Sequence, residues 1–165
     1  MNITIREYES RDALQAAEIW NEVVRDGTAF PQEDELSESE ADTFFLSQSS
    51  TGVAVGEDGR ICGLYILHPN NIGRCGHICN ASYAVASDKR GCGIGRALVL
   101  ACIEKAKELH FGVLQFNAVV ATNKTALSLY ASLGFTRLGV IPKGFRMPNG
   151  TYEDIIPHYI SLSKK

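Results

Sequence analysis

A glycine-rich segment near the middle of the chain constrains the fold more than any other feature. The segment Asp88-Lys89-Arg90-Gly91-Cys92-Gly93-Ile94-Gly95-Arg96 follows an apolar, strand-like stretch and precedes residues with helical periodicity. Alternating glycines let the backbone turn sharply, so that several N–H groups converge at the start of a helix. The helix dipole, Arg90 and Arg96 add positive charge there. The segment therefore predicts a pyrophosphate-binding loop, and the alternative is a glycine-rich connection with solvated arginines.

The spacing of these glycines disfavours two common nucleotide-binding motifs. A P-loop requires GxxxxGK followed by Ser or Thr, and no lysine follows the glycines. The dinucleotide fingerprint GxGxxG requires a glycine where the chain has Arg96 or Leu98. That fingerprint also normally follows the first strand of its unit, whereas this loop comes after about half of the chain. The pyrophosphate is therefore not expected to be that of ATP, GTP or a dinucleotide.

Apolar periodicity predicts an α/β fold with a mixed sheet, in one domain that spans residues 1–165. The acidic stretch over 32–40 is expected to be a solvated loop. The first half is predicted to form a strand near 3–8, a helix after Asp12, a short helix over 41–46 and a hairpin of 53–56 and 61–67. A strand over 77–85, a helix over 93–109, a buried strand over 113–121 and a helix from Asn123 to Gly134 are predicted to follow. Two final strands are predicted over 136–141 and 152–162, separated by an irregular segment.

Composition narrows the class of protein and its compartment. The net charge is -3 and lysines and arginines are not clustered, so nucleic acid is not expected as a partner. The chain shows neither a signal peptide nor an apolar run of about 18 residues, so no membrane association is expected. Five scattered cysteines, an odd number, indicate free thiols in a reducing compartment. We therefore expect a cytoplasmic protein.

Two motifs resemble those of a known superfamily. The segment from Arg90 to Leu98 resembles the acetyl-coenzyme A signature of the GCN5-related N-acetyltransferases (GNAT), and Asn123 to Tyr130 with Leu133-Gly134-Phe135 resembles their next motif. The resemblance extends from about residue 77 to 136. It implies a mostly antiparallel central sheet with a splayed pair of parallel strands and flanking helices. It also implies acetyl-CoA as the acetyl donor and no metal.

The resemblance also implies which residues contact acetyl-CoA. Backbone N–H groups of the strand before the glycine loop face the pantetheine arm and the thioester carbonyl, where they stabilise the oxyanion. The pyrophosphate binds the glycine loop itself. The cofactor-binding residues expected in this way are Tyr83, Ala84, Val85, Arg90, Gly91, Cys92, Gly93, Ile94, Gly95, Arg96, Asn123 and Tyr130.

Tyr130 matches the tyrosine that protonates the departing thiolate in this family, and is our expected catalytic acid. Asn123 and Tyr130 are seven residues apart, which places them about 10 Å apart on one helical face. The alternative for Tyr130 is a core aromatic beside Leu127 and Leu133. Asn123 is also a suitable helix N-cap, and capping is compatible with cofactor contact.

The general base is not identified by sequence. Many relatives carry a glutamate on the strand before the glycine loop, yet residues 77–85 contain no carboxylate. His77 is the nearest titratable candidate, although a single histidine at a strand end is more often structural or solvated. Water is an equal alternative.

Asn80 and Asn117 interrupt two apolar strands that the fold is expected to place side by side. A buried amide is costly without partners, so they either bind substrate or bond to each other or to the backbone. The segment from Phe116 to Asn123 is similar to fungal acetyltransferases that detoxify proline analogues. This similarity implies that Asn117 polarises the reacting groups and that Asn80 holds the carboxylate of the substrate.

Cys75, His77 and Cys79 lie close in sequence, but no second ligand pair follows at a zinc-like spacing, so no metal is expected.

The acidic run 33–40 is expected on the acceptor side, where it could favour a cationic acceptor, with Phe30 and Pro31 as pocket lining.

The chain is thus expected to acetylate the primary or secondary amine of a small molecule, such as an amino acid or a proline analogue. One alternative is acetylation of a protein N-terminus or lysine, since the same motifs serve that class. Another is a non-catalytic sensor of coenzyme A. By analogy with relatives that pair through their C-terminal strands, a homodimer is expected.

Overall fold

One eight-stranded sheet with four α-helices forms the computed structural model, which describes residues 2–162. The strand order is β1-β2-β3-β4-β5-β8-β6, and β7 pairs with β8 beside β6. The strands are β1 (Ile3–Glu7), β2 (Ser50–Gly56), β3 (Ile61–Pro69), β4 (Ile78–Val85), β5 (Val113–Val120), β6 (Thr136–Arg137), β7 (Ile141–Arg146) and β8 (Tyr152–Ser161). The helices are α1 (Ala13–Asp26), α2 (Glu38–Leu46), α3 (Ile94–Glu108) and α4 (Lys124–Ser132).

The helices cover both faces of the sheet, and β3 shows why. Its residues Cys62, Tyr65 and Leu67 belong to the core cluster under α3 and α4, whereas Leu64 and Ile66 belong to the cluster under α1 and α2. A strand that is buried on both faces needs apolar residues at almost every position, as β3 has. The predicted α/β mixed sheet is therefore confirmed.

Helix α2 begins earlier than predicted. Ser37 caps it, and the side chain of Glu40 accepts a hydrogen bond from the Ser37 backbone N–H in a capping box. The expected solvated loop over 32–40 is therefore wrong for residues 38–40, which form the first turn of the helix. Acidic side chains at that turn complement the helix dipole.

The C-terminal segment forms three strands where two were predicted. The segment expected to be irregular contains β7, which includes Pro142. Lys143 has a positive φ of 54°, and its N–H donates to the Asp154 side-chain carboxylate of β8 at 2.9 Å instead of to a backbone carbonyl. The register of β7 against β8 shifts at this point. A bulge of this kind accommodates the proline, which cannot donate to a ladder.

Strands β4 and β5 are the only neighbouring pair of parallel strands described in residues 2–162, and they separate soon after they meet. Their pairing consists of Ile78 with Val113 and Cys79 with Leu114. On its other side β5 pairs with β8, with a register shift between Phe116 and Val119. The splayed pair expected from the family resemblance is thus present. No helix described between residues 2 and 162 is both long and apolar enough to cross a membrane.

Candidate active site

A cavity of about 640 Å³ opens where β4 and β5 separate. It reaches from the start of α3 and α4 to the loop between α1 and α2. Among the predicted site residues, Phe30, Asn80, Tyr83, Gly95, Asn117, Asn123 and Tyr130 all line it. The structure therefore brings together residues from five separate elements and loops of the chain.

The glycine loop at one end of the cavity has the backbone that an anion cradle needs. Gly91 and Gly93 have φ values of 80° and 82°, which favour glycine. A Cβ at either position would meet no atom within 4 Å among the described residues, so the loop is open. Ile94 is 1% exposed at the first turn of α3, so only its backbone can contact a ligand. These features fit a bound pyrophosphate.

The two arginines of the loop are held by partners that sequence reasoning missed. An Arg96 Nη1 donates to the Ser132 hydroxyl of α4 at 2.9 Å. The Arg90 guanidinium forms an ion pair of 2.8 Å with Asp26 at the end of α1. Both arginines and Cys92 are exposed. The cationic groups thus surround the loop while remaining accessible to a ligand.

Tyr130 is both a packed aromatic residue and a residue that lines the cavity. Its ring packs in an aromatic group with centroids 4.5 Å from Phe116, 5.4 Å from Phe135 and 5.8 Å from His158. The residue nevertheless lines the cavity. Burial raises the pKa of its hydroxyl, so the group is protonated at neutral pH, as an acid must be. Asn123 is the N-cap of α4, as predicted, because its Oδ1 accepts from the Ala126 N–H at 3.1 Å.

The three residues expected on the strand before the glycine loop differ in exposure. Ala84 is 1% exposed and packs in the cluster under α1, so it can offer a ligand only backbone atoms. Tyr83 lines the cavity, and its hydroxyl is buried without a hydrogen-bond partner among residues 2–162. Val85 packs against the core under α3. Beyond Cys79 this strand has no described pairing with β5, so its backbone borders the cavity.

The two predicted asparagines hold different partners. Asn80 donates from Nδ2 to the Gln115 carbonyl at 2.9 Å, across the gap between β4 and β5. Asn117 forms side-chain bonds with Asn70 and Gln115. Asn80 thus has the backbone partner that one alternative predicted, whereas Asn117 is exposed and its side chain bonds neither to Asn80 nor to the backbone within residues 2–162. Sequence reasoning missed Asn70, because it lies 47 residues from Asn117 and carries no motif.

His77, the candidate base predicted from the sequence, lies outside the cavity, whereas another histidine lines it. His77 is exposed and does not line the cavity in the described part of the chain. His68 does line it, and pairs with Asn80 in the β3–β4 register. None of the cavity-lining residues described is Asp, Glu, Lys or Arg.

The remaining candidates lie away from this chemistry. Cys79 is buried on β4 while Cys75 is exposed, and residues 2–162 contain no group of three or more His, Cys, Asp or Glu side chains placed for a metal ion. All five cysteines are free, as predicted. In the acidic run, Glu33 pairs with Arg146 and Glu35 with Arg25. Its charges are thus partly neutralised outside the cavity.

Comparison with known proteins agrees with this geometry. The family model of the acetyltransferase (GNAT) family matches residues 16–135. The N-acetyltransferase aca1 of Schizosaccharomyces pombe is 31% identical over 150 residues, which cover 81% of this chain and 71% of that protein. A solved GCN5-related N-acetyltransferase from Kribbella flavida is 33% identical with a TM-score of 0.89, over 96% of this chain and 97% of that chain.

A solved phosphinothricin acetyltransferase from Sinorhizobium meliloti, in complex with acetyl-CoA, shares the fold. Its TM-score is 0.90 at 23% identity, over 99% of this chain and 90% of that chain.

The family expected from the two sequence motifs is confirmed. The chain belongs to the acetyltransferase (GNAT) family and is an acetyl-CoA-dependent N-acetyltransferase.

Proposed function

We propose that the protein acetylates the amine of a small, zwitterionic acceptor such as an amino acid or a proline analogue. The observation that carries this proposal is the chemistry of the cavity wall. The described lining offers amides, hydroxyls and one histidine, and no carboxylate, lysine or arginine. A polyamine or a lysine-rich segment has extra cations that need carboxylates for binding, whereas amides suffice for one carboxylate and one amine.

The aromatic lining of the acceptor end supports a small molecule. Phe30 and Phe44 of the α1–α2 region and Ile66 of β3 border this end of the cavity. Phe30 is itself held by Trp20, with ring centroids 4.4 Å apart. A rigid aromatic wall of this kind suits a compact ligand better than an extended peptide.

In this proposal the transfer is direct. The acceptor nitrogen attacks the thioester carbonyl carbon, the carbon–sulfur bond breaks, and coenzyme A leaves as a thiolate. The backbone N–H groups of Tyr83 and Val85, which point away from β3, stabilise the developing oxyanion. Tyr130 donates its proton to the thiolate and recovers one from solvent. Water or His68 takes the proton that the attacking amine loses.

The assembly and compartment are part of the same proposal. The edge formed by β6, β7 and the start of β8 exposes Leu138, Val140, Ile141 and Tyr152. These exposed apolar residues support a homodimer through the C-terminal strands. Five free thiols support a reducing, cytoplasmic location.

The test is the release of free thiol from acetyl-CoA with a panel of acceptors. The panel contains amino acids, proline analogues, polyamines, aminoglycosides and short peptides, and mass spectrometry identifies the acetylated product. We expect amino acids or their analogues to give the highest kcat/KM. A preference for peptides would favour a protein acceptor. Binding of acetyl-CoA by calorimetry without transfer to any acceptor would favour a coenzyme A sensor.

A further inference from the structure

Asn70 and Asn117 form a reciprocal amide pair at the edge of the cavity. Asn70 donates from Nδ2 to Asn117 Oδ1 at 3.2 Å, and Asn117 donates from Nδ2 to Asn70 Oδ1 at 2.7 Å. Asn70 follows β3, and its backbone N–H is bonded to the Ile78 carbonyl at the start of β4 at 2.8 Å. Asn70 does not line the cavity in the described part of the chain. Its side chain contacts the cavity wall through Asn117.

A second amide completes the arrangement around Asn117. Gln115 donates from Nε2 to Asn117 Oδ1 at 3.1 Å. A carbonyl oxygen has two lone pairs, so the bonds from Asn70 and Gln115 occupy both. The Nδ2 group of Asn117 has two hydrogens, and Asn70 takes one. The group that Asn117 retains for a ligand is one N–H donor.

We propose that Asn70 is a positioning residue that, together with Gln115, presents Asn117 to the cavity as a hydrogen-bond donor. An oriented N–H binds an oxygen of the acceptor, such as its carboxylate, and rejects an N–H in the same place. The role in acetyl transfer rests on the proposed function. The orientation of Asn117 does not, so the two are tested separately.

The kinetic test is a double-mutant cycle of Asn70→Ala and Asn117→Ala. We expect Asn70→Ala to lower kcat/KM for the acceptor roughly five- to tenfold, the loss of one or two hydrogen bonds, with KM for acetyl-CoA unchanged. In the Asn117→Ala background, Asn70→Ala should have no further effect. Losses that multiply would overturn the proposal, because they would show that Asn70 acts independently of Asn117.

Asn71→Ala is the matched control, since it removes the same side chain one position along. The Asn71 Oδ1 accepts from the Ile72 N–H at 2.8 Å, a local bond within the loop. We expect its kcat/KM to equal that of the wild type. An equal loss in Asn71→Ala and Asn70→Ala would assign the effect to the loop as a whole and overturn the proposal.

A measurement without activity separates the orientation of Asn117 from the proposed function. The side-chain amide signals of Asn117 in a ¹⁵N–¹H spectrum are identified by their loss in Asn117→Ala. In Asn70→Ala we expect them to shift and to exchange faster with water, and unchanged signals would refute the pairing. If the wild type transfers acetyl to no acceptor, the proposed function fails, and this spectrum still decides whether Asn70 holds Asn117.

Discussion

The ring of Tyr130 lies 4.5 Å from that of Phe116, centroid to centroid, and Phe116 is the residue of β5 after which its register against β8 shifts. The same Phe116 ring stacks on Phe135 at 4.8 Å. The proposed acid is therefore held against the strand that forms one wall of the cavity. Because this packing depends on the ring and not on the hydroxyl, a substitution can remove the hydroxyl and keep the packing.

Tyr130→Phe should keep the packing and remove only the proton donor. We expect kcat to fall about a hundredfold, the usual contribution of a general acid, with thermal stability close to that of the wild type. Steady-state kinetics and a thermal melt check both. The matched control is Tyr152→Phe, an exposed tyrosine outside the cavity, for which kcat should not change. Unchanged kcat in Tyr130→Phe would remove Tyr130 from the mechanism.

The pH profile gives a second readout of the same group. Burial raises the pKa of Tyr130 above the ordinary value of 10.0, so its hydroxyl stays protonated as the acceptor amine loses its proton. We expect wild-type kcat to rise with pH as the acceptor amine loses its proton. Below about pH 10, loss of the Tyr130 proton should cause no decline in kcat. A decline of that kind near pH 9 would contradict the raised pKa.

Gly95→Ala should affect stability and acetyl-CoA binding in opposite directions. A Cβ there would lie 3.9 Å from Leu129 and 4.0 Å from Val85, which is ordinary contact, and alanine favours a helix over glycine by about 0.5 to 1 kcal/mol. Gly95 lines the cavity, and a methyl group there would lie beside Leu129, which also lines it. We expect a higher unfolding temperature and acetyl-CoA binding about tenfold weaker, equal to roughly 1.4 kcal/mol.

Calorimetry and a thermal melt test this pair of effects. Leu100→Ala, on the exposed face of the same helix, is the control that should leave acetyl-CoA affinity unchanged. Unaltered acetyl-CoA affinity in Gly95→Ala would show that the cofactor does not approach the first turn of α3.

Asp12 should contribute to stability through Arg6. The residue is 4% exposed, and its carboxylate accepts from Arg6 at 2.6 and 2.8 Å and from the Glu9 N–H at 2.9 Å. We expect Asp12→Asn to lower the free energy of unfolding by about 2 kcal/mol at pH 7. Asp34→Asn, an exposed acid in the α1–α2 loop, is the control and should change it little.

The pH dependence of that loss has a definite sign. The hydrogen bond from Arg6 lowers the pKa of Asp12 below its ordinary 3.8. The stabilisation is therefore complete above the unfolded-state pKa and is lost as the pH falls through the lower folded-state pKa. Denaturant titrations should show the wild type and Asp12→Asn converging in acid. If the difference in unfolding free energy between the two proteins stays constant at acidic pH, the ion pair is not the source of that difference.

The apolar edge of the sheet gives a test of assembly. Leu138 and Ile141 are 56% and 49% exposed, and a charge on either should prevent association if the edge is buried between two copies. We expect light scattering to show a dimer for the wild type and a monomer for Ile141→Lys. Leu14→Lys, at an exposed leucine on α1, should remain dimeric. A wild-type monomer at micromolar concentration would refute the homodimer.

Sequence patterns predicted the regular part of this fold well because the period of the apolar residues matches each element. The start of α2 was missed, although the Ser37 and Glu40 spacing of a capping box was present in the sequence. Strand β7 was missed because Pro142 and the positive φ of Lys143 interrupt its pattern. The partner of Asn117 could not be predicted, because the contact with Asn70 depends on how two distant strands meet.

Strand β8 binds β5 along one side and both β6 and β7 along the other. During synthesis β5 emerges long before β8, and until then it has only the two residue pairs that join it to β4. Until β8 docks, β5 therefore has an unpaired strand edge, and unpaired edges are prone to aggregation. The wall that carries Phe116 and Asn117 is completed only when β8 docks, so acetyl transfer should depend on this last strand of the sheet.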